Sequence, residues 1–413
     1  MFPVIDIGPV AIQAAGLALL LSLWIGTWLT SKLGKNIGTN ADAVESAILI
    51  GLIAGILGAR IGFMMQNPSI FSSNPLSILA LTPSMLDASF GVLVGGIAAF
   101  IFAQKHNLPL WPTLDTLSPL TILIFAGLHL ANFANGNAYG LPADIPWGIR
   151  LWNAVRHPVQ IYALILTAGL FLWLIIHTKR LWMTGFIRSG TLFLLTAAGI
   201  GFITLVIRAF AAEKTLLAGI DLLQLLGFFL LVFSLALIYN RNVKPRKHIG
   251  VLISAGSNTA PGENLIQAFE TIQAKFQTRR ASAVYRTEPV KNTKNSADFF
   301  NQIFEIETNL SYPDLISQLK TIEQAFGRQP GNKQDVPLDL DVLTYNSDVF
   351  NWGSNQIPDS DLIKYRYIAL PLAEVAPDFR HPASGKSIQA ILDAITDDSR
   401  VTLNQEVENG LKA

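Results

Sequence analysis

"YNRNVKPRKH", residues 239 to 248, divides a chain of 413 residues into two kinds of polypeptide. Before it, residues 1 to 240 carry only 11 Lys/Arg and 8 Asp/Glu, although the whole chain holds 30 and 29. The charge therefore lies mostly in the last two fifths. Overall the chain is 51% hydrophobic and 14% charged, against roughly 25% charged for an ordinary soluble domain. Length and this compositional step predict two domains of different class: a polytopic membrane domain over 1–240, a basic linker over 241–248, and a soluble domain over 249–413. A net charge of +1 predicts no nucleic-acid partner, and the absence of cysteine excludes disulfides, thiol nucleophiles and cysteine-ligated metals.

Working back from the linker, apolar runs long enough to span a bilayer, about 18 residues or more, occur near 11–30, 45–65, 86–104, 117–134, 158–178, 189–212 and 218–239. Seven membrane helices are expected. No Lys or Arg precedes the first run, which carries Asp6 instead, so it reads as a retained helix and not as a signal peptide. Lys32, Lys35, Lys105, Lys179, Arg180, Arg188, Arg241, Lys244, Arg246 and Lys247 fall on one side, and Arg150, Arg156, Arg208 and Lys214 on the other. The positive-inside bias puts the amino terminus outside and the charged domain in the cytoplasm.

Polar residues in or beside spans are costly and mark candidate sites. They are densest in "GLHLANFANGNAYG" (127–140) and "PWGIRLWNAVRHPVQIY" (146–162), with His129, Asn132, Asn137, Arg156, His157 and Gln160. Two readings stand side by side: a polar site at headgroup level, or residues that cap helix ends and satisfy backbone groups.

These stretches, with the opening "PVIDIGPVAI" and with "GLIAGILGARIGF", resemble the bacterial prolipoprotein diacylglyceryl transferase family over residues 1 to about 240. The resemblance implies a seven-helix protein of the bacterial inner membrane, a membrane phospholipid as partner, and Arg60, His129, Asn132, Asn137, Arg156, His157, Gln160 and Arg208 as headgroup candidates. There are departures. The family's Arg-x-Gly-Asn-Phe-x-Asn-Gly-Glu is here His129 to Asn137, without either charged member. Its Phe-His-Gly-Gly is Phe90, Gly91, Val92, Leu93, and its later arginine falls at Thr204, with Arg208 a turn beyond.

Working forward from the linker, "HIGVLISAG" (248–256) reads as a buried strand and 262–276 as a helix with Leu265, Ala268, Phe269 and Ile272 on one stripe. "RRASAVYRTEPV" and "DFFNQIFEIET" are strand candidates. A helix follows with Ser311 as cap, Pro313 in its first turn and Gly327 as stop, and then the strand "PLDLDVLTYN". The order strand, helix, strand, strand, helix, strand is the ferredoxin-like α+β pattern, expected here with an open sheet face.

In that last strand Asp339 and Asp341 project to one face while Leu338, Leu340 and Val342 fill the other. Like charges at ~4 Å cost from one to several kcal/mol. The pair therefore suits a divalent cation such as Mg²⁺ shared with substrate phosphates, or else a solvated acidic strand face.

In company with "AGSN" (255–258), "YRTEPV" (285–290), "DFFN" (298–301), "IEQAFGR" (322–328) and "ALPLAEVAPDFRHP" (369–382), the "LDLD" stretch resembles 6-hydroxymethyl-7,8-dihydropterin pyrophosphokinase over residues 249 to about 400. The resemblance implies ATP as co-substrate, two Mg²⁺, a reduced pterin, and transfer of a pyrophosphoryl group to it. By motif position Asp339 and Asp341 are metal ligands. Thr287, Pro289, Phe299, Asn301 and Tyr367 line the pterin site; Glu323, Arg328 and Lys333 face ATP, and Arg328 neutralises phosphate. Here too the chain departs from the family. "GRQPGNKQDVP" is shorter than the family's loop and lacks its tryptophan and second arginine, and Asp359 follows Pro358 where the family has histidine.

Overall fold

A computed structural model describes residues 4–7, 10–73, 85–183, 188–217, 219–243, 249–287, 298–329, 331, 334–396 and 401–403. The chain divides into two compact units, Met1–Thr178 with Gly190–Tyr239, and Lys179–Ser189 with Asn240–Ala413.

The first unit is built on α1 (Ala14–Ile37), α2 (Ala41–Gln66), α3 (Ala88–Lys105), α4 (Leu110–Asn135), α5 (Val159–Met183), α6 (Thr191–Ala209) and α7 (Leu222–Ile238). All seven are long and apolar enough to cross a membrane. Their large side chains point outward, with Trp24, Leu57, Val92, Ile176 and Phe233 exposed, and their small ones point inward. Gly51, Gly55, Gly58 and Gly62 of α2 meet α3 along one seam. A Cβ at Gly91 of α3 would stand 2.8 Å from both the Gly55 carbonyl oxygen and Ala59 Cβ. Such close backbone approach is how helices gain contact in lipid, where burial of apolar surface drives nothing.

Helix α4 begins seven residues before the expected span. Pro112 lies in its first turn, where a missing N–H costs nothing. Asp115, which interrupts the apolar run, is buried and accepts from the backbone N–H groups of Gly190 (2.5 Å) and Phe193 (2.9 Å) at the start of α6. A carboxylate on a helix amino terminus satisfies orphan donors and the helix dipole together.

The second unit contains β1 (Ile249–Ser257), α8 (Pro261–Lys275), β2 (Gln277–Ala281), β3 (Tyr285–Thr287), β4 (Phe299–Thr308), α9 (Tyr312–Ala325), β5 (Asp339–Tyr345), the hairpin β6 (Phe350–Trp352) and β7 (Asn355–Ile357), α10 (Arg366–Val375), α11 (Ile388–Ala394) and β8 (Val401–Leu403). The sheet runs β5-β1-β4-β3-β8 with β2 also on β4, and every pairing is antiparallel. The expected caps of α9 are present: Ser311 Oγ accepts from Asp314 N, and Gly327 has φ +85°.

On one face Val251, Ile253, Ala255, Phe304, Ile306, Leu338, Leu340 and Val342 bury Leu265, Ala268 and Ile272 of α8 and Leu315, Leu319 and Ile322 of α9. The other face, expected to be open, is covered over part of its length. Leu252, Ile303 and Leu343 pack under Ile368, Leu372, Ile388 and Ile391 of α10 and α11. Those three strand residues are apolar at the outward-facing register positions, and that surface requires a cover. Of the linker expected at 241–248, residues 244–248 lie outside the described residues.

Candidate functional site

Beyond α10 and α11 the same sheet face turns polar. Gly256 of β1 sits between Asp339 of β5 and Asn301 of β4, and the row continues to Tyr285 of β3. Thr287, opposite Phe299, accepts a 2.9 Å hydrogen bond from Asn301 Nδ2, and both side chains are buried. A Cβ at Gly256 would approach Asn301 Oδ1 to 3.3 Å. The floor between the carboxylate and the amide is therefore bare backbone, which leaves room for a flat ligand. Pro289 and Lys333 lie outside the described residues.

Asp339 and Asp341 share this face, one residue apart on β5. Arg328, just past the end of α9, brings its guanidinium 3.8 Å from Asp339 Oδ1. Asp341 keeps much of its surface in solvent, yet the protein packed around its carboxyl, with the Asp339 charge beside it, pushes it up to about 7. A carboxylate held so far above its ordinary range is one that a cation would stabilise, and in this respect the pair fits Mg²⁺. Among the described residues no group of three or more His, Cys, Asp or Glu forms a closed cage. Mg²⁺ does not require one, since it binds through one or two carboxylates together with phosphates.

Glu323, expected by motif position to face a nucleotide, is held within the fold. Its carboxylate is buried, accepts the backbone N–H of Leu340 at 2.8 Å and pairs with Lys320 at 2.8 Å. Leu340 lies between the two aspartates, so Glu323 fastens α9 to the strand segment that presents them.

Tyr367, at the start of α10, stacks on Tyr365 with centroids 5.3 Å apart and planes at 26°, so one of its faces is already taken. Burial, with the charge of Asp361 and contributions from Tyr365, Asp341 and Asp359, raises its hydroxyl pKa. Asp359 anchors its loop by donating its N–H to Leu343 O (2.8 Å) and accepting from Asp361 N (2.7 Å). Burial raises its carboxyl pKa too. Tyr365 and Asp361 were not singled out from sequence; the pair Tyr365 and Tyr367, two apart beside the acidic run at 359–361, was the available signal.

In the membrane unit the expected headgroup residues are turned to local tasks. Arg208 forks around Asp221, with Nε to Oδ2 at 2.6 Å and the second nitrogen to Oδ1 at 2.9 Å, and also donates to Glu213 O. Arg156 donates to Leu151 O and Gly140 O and lies over the Tyr139 ring. Arg60 is buried and donates to Met85 O at 3.0 Å. Gln160 donates to Asn137 O at 2.7 Å, while the Asn137 N–H bonds Asn132 O in the carboxy-terminal cap of α4. His157 meets the Tyr162 hydroxyl at 3.2 Å, and His129 packs edge-on to Phe125.

Fold and site define a seven-span membrane unit joined to an α+β unit that presents two aspartates. Residues 3–240 match the family model for prolipoprotein diacylglyceryl transferase, so the chain belongs to that family. Residues 252–377 match the model for 7,8-dihydro-6-hydroxymethylpterin-pyrophosphokinase (HPPK). Phosphatidylglycerol–prolipoprotein diacylglyceryl transferases of Brucella ovis and Brucella canis are 30% identical over 143 residues, covering 32% of this chain and 50% of theirs. The chain spans about half the length of the curated relatives it matches. Among solved structures, Plasmodium falciparum HPPK-DHPS wild type with pteroate is 13% identical with a TM-score of 0.29, covering 36% of this chain and 42% of that one. The same wild-type protein with STZ-DHP is 12% identical at 0.29, covering 40% and 50%.

Proposed function

We propose that the second unit is an ATP-dependent pyrophosphokinase acting on 6-hydroxymethyl-7,8-dihydropterin, held at a bacterial inner membrane by the first unit and working in the cytoplasm. The observation that carries this reading is the single sheet face on which Asp339 and Asp341 stand across Gly256 from the Asn301–Thr287 pair. Asn301 and Thr287, already fixed to each other, would hydrogen-bond the pterin edge, and Phe299 and the free face of Tyr367 would flank its ring. Arg328 would offset phosphate charge. Mg²⁺ held by Asp339 and Asp341 would supply further charge neutralisation on the nucleotide. The hydroxymethyl oxygen takes the pyrophosphoryl group and AMP leaves, a transfer that depends mainly on positioning and electrostatics.

A second reading has its own observation. Asp359 adds negative charge beside Asp341, where bound phosphates would stand, which favours a unit that binds pterin without transfer. Full-length protein in nanodiscs, given ATP, Mg²⁺ and hydroxymethyl-dihydropterin, decides between them. AMP release well above an Asp341→Ala control is expected, whereas tight pterin binding with no AMP above that control establishes the second reading.

A further inference from the structure

One end of the membrane unit carries two small antiparallel pairs, Ile149–Leu151 with Ala154–Arg156 and Leu216–Leu217 with Ile220–Asp221. The bridge Gly140↔Ala211 ties the segments that lead into them, and Pro142↔Arg156 fastens the first. In the second pair the polarity is inverted relative to a loop in water, whereas the first pair leaves Arg150 exposed. Leu216, Leu217 and Ile220 are 63%, 59% and 53% exposed, while Asp221 beside them is 4% exposed and clasped by Arg208. Trp147 and Trp152 repeat the pattern at 62% exposure each. Their indole N–H groups turn inward, donating to the Tyr162 hydroxyl at 2.8 Å and to Gly136 O at 3.2 Å, so the outer ring surface offers no donor. A tryptophan facing headgroups and water ordinarily uses its N–H there.

We propose that the second pair, Leu216–Leu217 with Ile220–Asp221, sits in the lipid, at the boundary between headgroups and acyl chains, as a continuation of the bundle's lipid-facing surface. Continuity supports a bilayer as the occupant. Asp221 is followed directly by α7, whose Leu223, Leu226 and Phe229 are exposed in the same way on a helix fit to span the membrane. An apolar patch this continuous on a soluble surface would mark an interface, and here the adjoining interface is the bilayer. The Arg208–Asp221 pair then has a defined role: it keeps two charges out of lipid by joining them under the apolar strands. The inference is independent of any catalysis by either unit.

Because the chain has no cysteine, single Leu216→Cys, Leu217→Cys and Ile220→Cys variants can each carry one nitroxide in an otherwise native background. The labelled full-length protein is reconstituted in nanodiscs of phosphatidylethanolamine and phosphatidylglycerol. Collision with oxygen, which concentrates in lipid, is compared with collision with a water-soluble nickel chelate, using Lys214→Cys on the same exposed loop as reference. The expected result is an oxygen-to-nickel ratio several-fold higher at all three strand positions than at 214. Equal ratios at all four positions would place the strands in water and overturn the proposal. Labels that are immobile and shielded from both probes would overturn it too, by revealing a protein partner or second copy on this face.

Discussion

Asp341 is the side chain whose chemistry the rest of the second unit conditions most. Folding raises its carboxyl pKa from 3.8 to about 7, through burial first and the neighbouring Asp339 second. A raised acid binds its proton more tightly in the folded chain, so metal-free stability falls as pH climbs from about 4 to about 7, and the full penalty stands above that. Mg²⁺ needs the deprotonated form. Its affinity should therefore rise by about tenfold per pH unit up to about pH 7 and then level off, as read by titrating Mg²⁺ with a nonhydrolysable ATP analogue between about pH 6 and about pH 8. Asp339→Asn removes the like charge and keeps the shape. It should melt higher than wild type without metal at about pH 8, and gain much less from Mg²⁺ plus analogue. Equal ligand-induced shifts in the two proteins would remove the metal role.

At the level of elements, much of the second unit was legible because strand and helix periods alternate cleanly, as in "PLDLDVLTYN" with its inward leucines. The seven spans were legible for a similar reason, since length and hydropathy are strong local signals. What was not legible depended on contacts between distant segments. The first seven residues of α4 are not legible as part of a span, because Asp115 looks foreign to lipid until the amino terminus of α6 meets it. The cover of α10 and α11 on the sheet went unseen because nothing local assigns their apolar stripe to Leu252, Ile303 and Leu343. Glu323 falls on the nucleotide side by its position in the "IEQAFGR" motif, and nothing local in that motif reveals that its carboxylate accepts the backbone N–H between the aspartates. Its replacement gives a graded test. Glu323→Ala leaves the buried Leu340 N–H unpaired and should cost about 1–3 kcal/mol in chemical denaturation. Glu323→Gln retains an acceptor, should cost less, and should lower the pH at which Mg²⁺ affinity levels off, because one charge that raises the Asp341 pKa is gone. In the first unit, Gly91 stands where the family has histidine, and it is a packing glycine. Gly91→His should reduce thermal stability in detergent by separating α2 from α3, with no gain in lipid transfer; a stable variant with new transferase activity would show that the seam can yield.

For the whole molecule, the positive-inside expectation and the proposed pyrophosphokinase activity predict the same orientation across the bilayer. By the order of the seven spans, ten basic residues between Lys32 and Lys247 are expected on the side of the linker, and Arg150, Arg156, Arg208 and Lys214 on the other. Of those four, Arg156 and Arg208 spend their guanidinium groups on Leu151, Gly140 and Asp221 within the unit. The positive-inside count predicts a cytoplasmic linker. A pyrophosphokinase requires the same orientation, since ATP is on that side. Membrane vesicles test the two together. Inverted vesicles should release AMP from added ATP and hydroxymethyl-dihydropterin, and right-side-out vesicles should do so only after permeabilisation. Protease added from outside separates orientation from activity: it should digest the second unit in inverted vesicles and spare it in right-side-out ones. Digestion in right-side-out vesicles would reverse the topology whatever the AMP result, while correct digestion with no AMP from either preparation would leave the topology standing and argue for a pterin-binding unit that does not transfer.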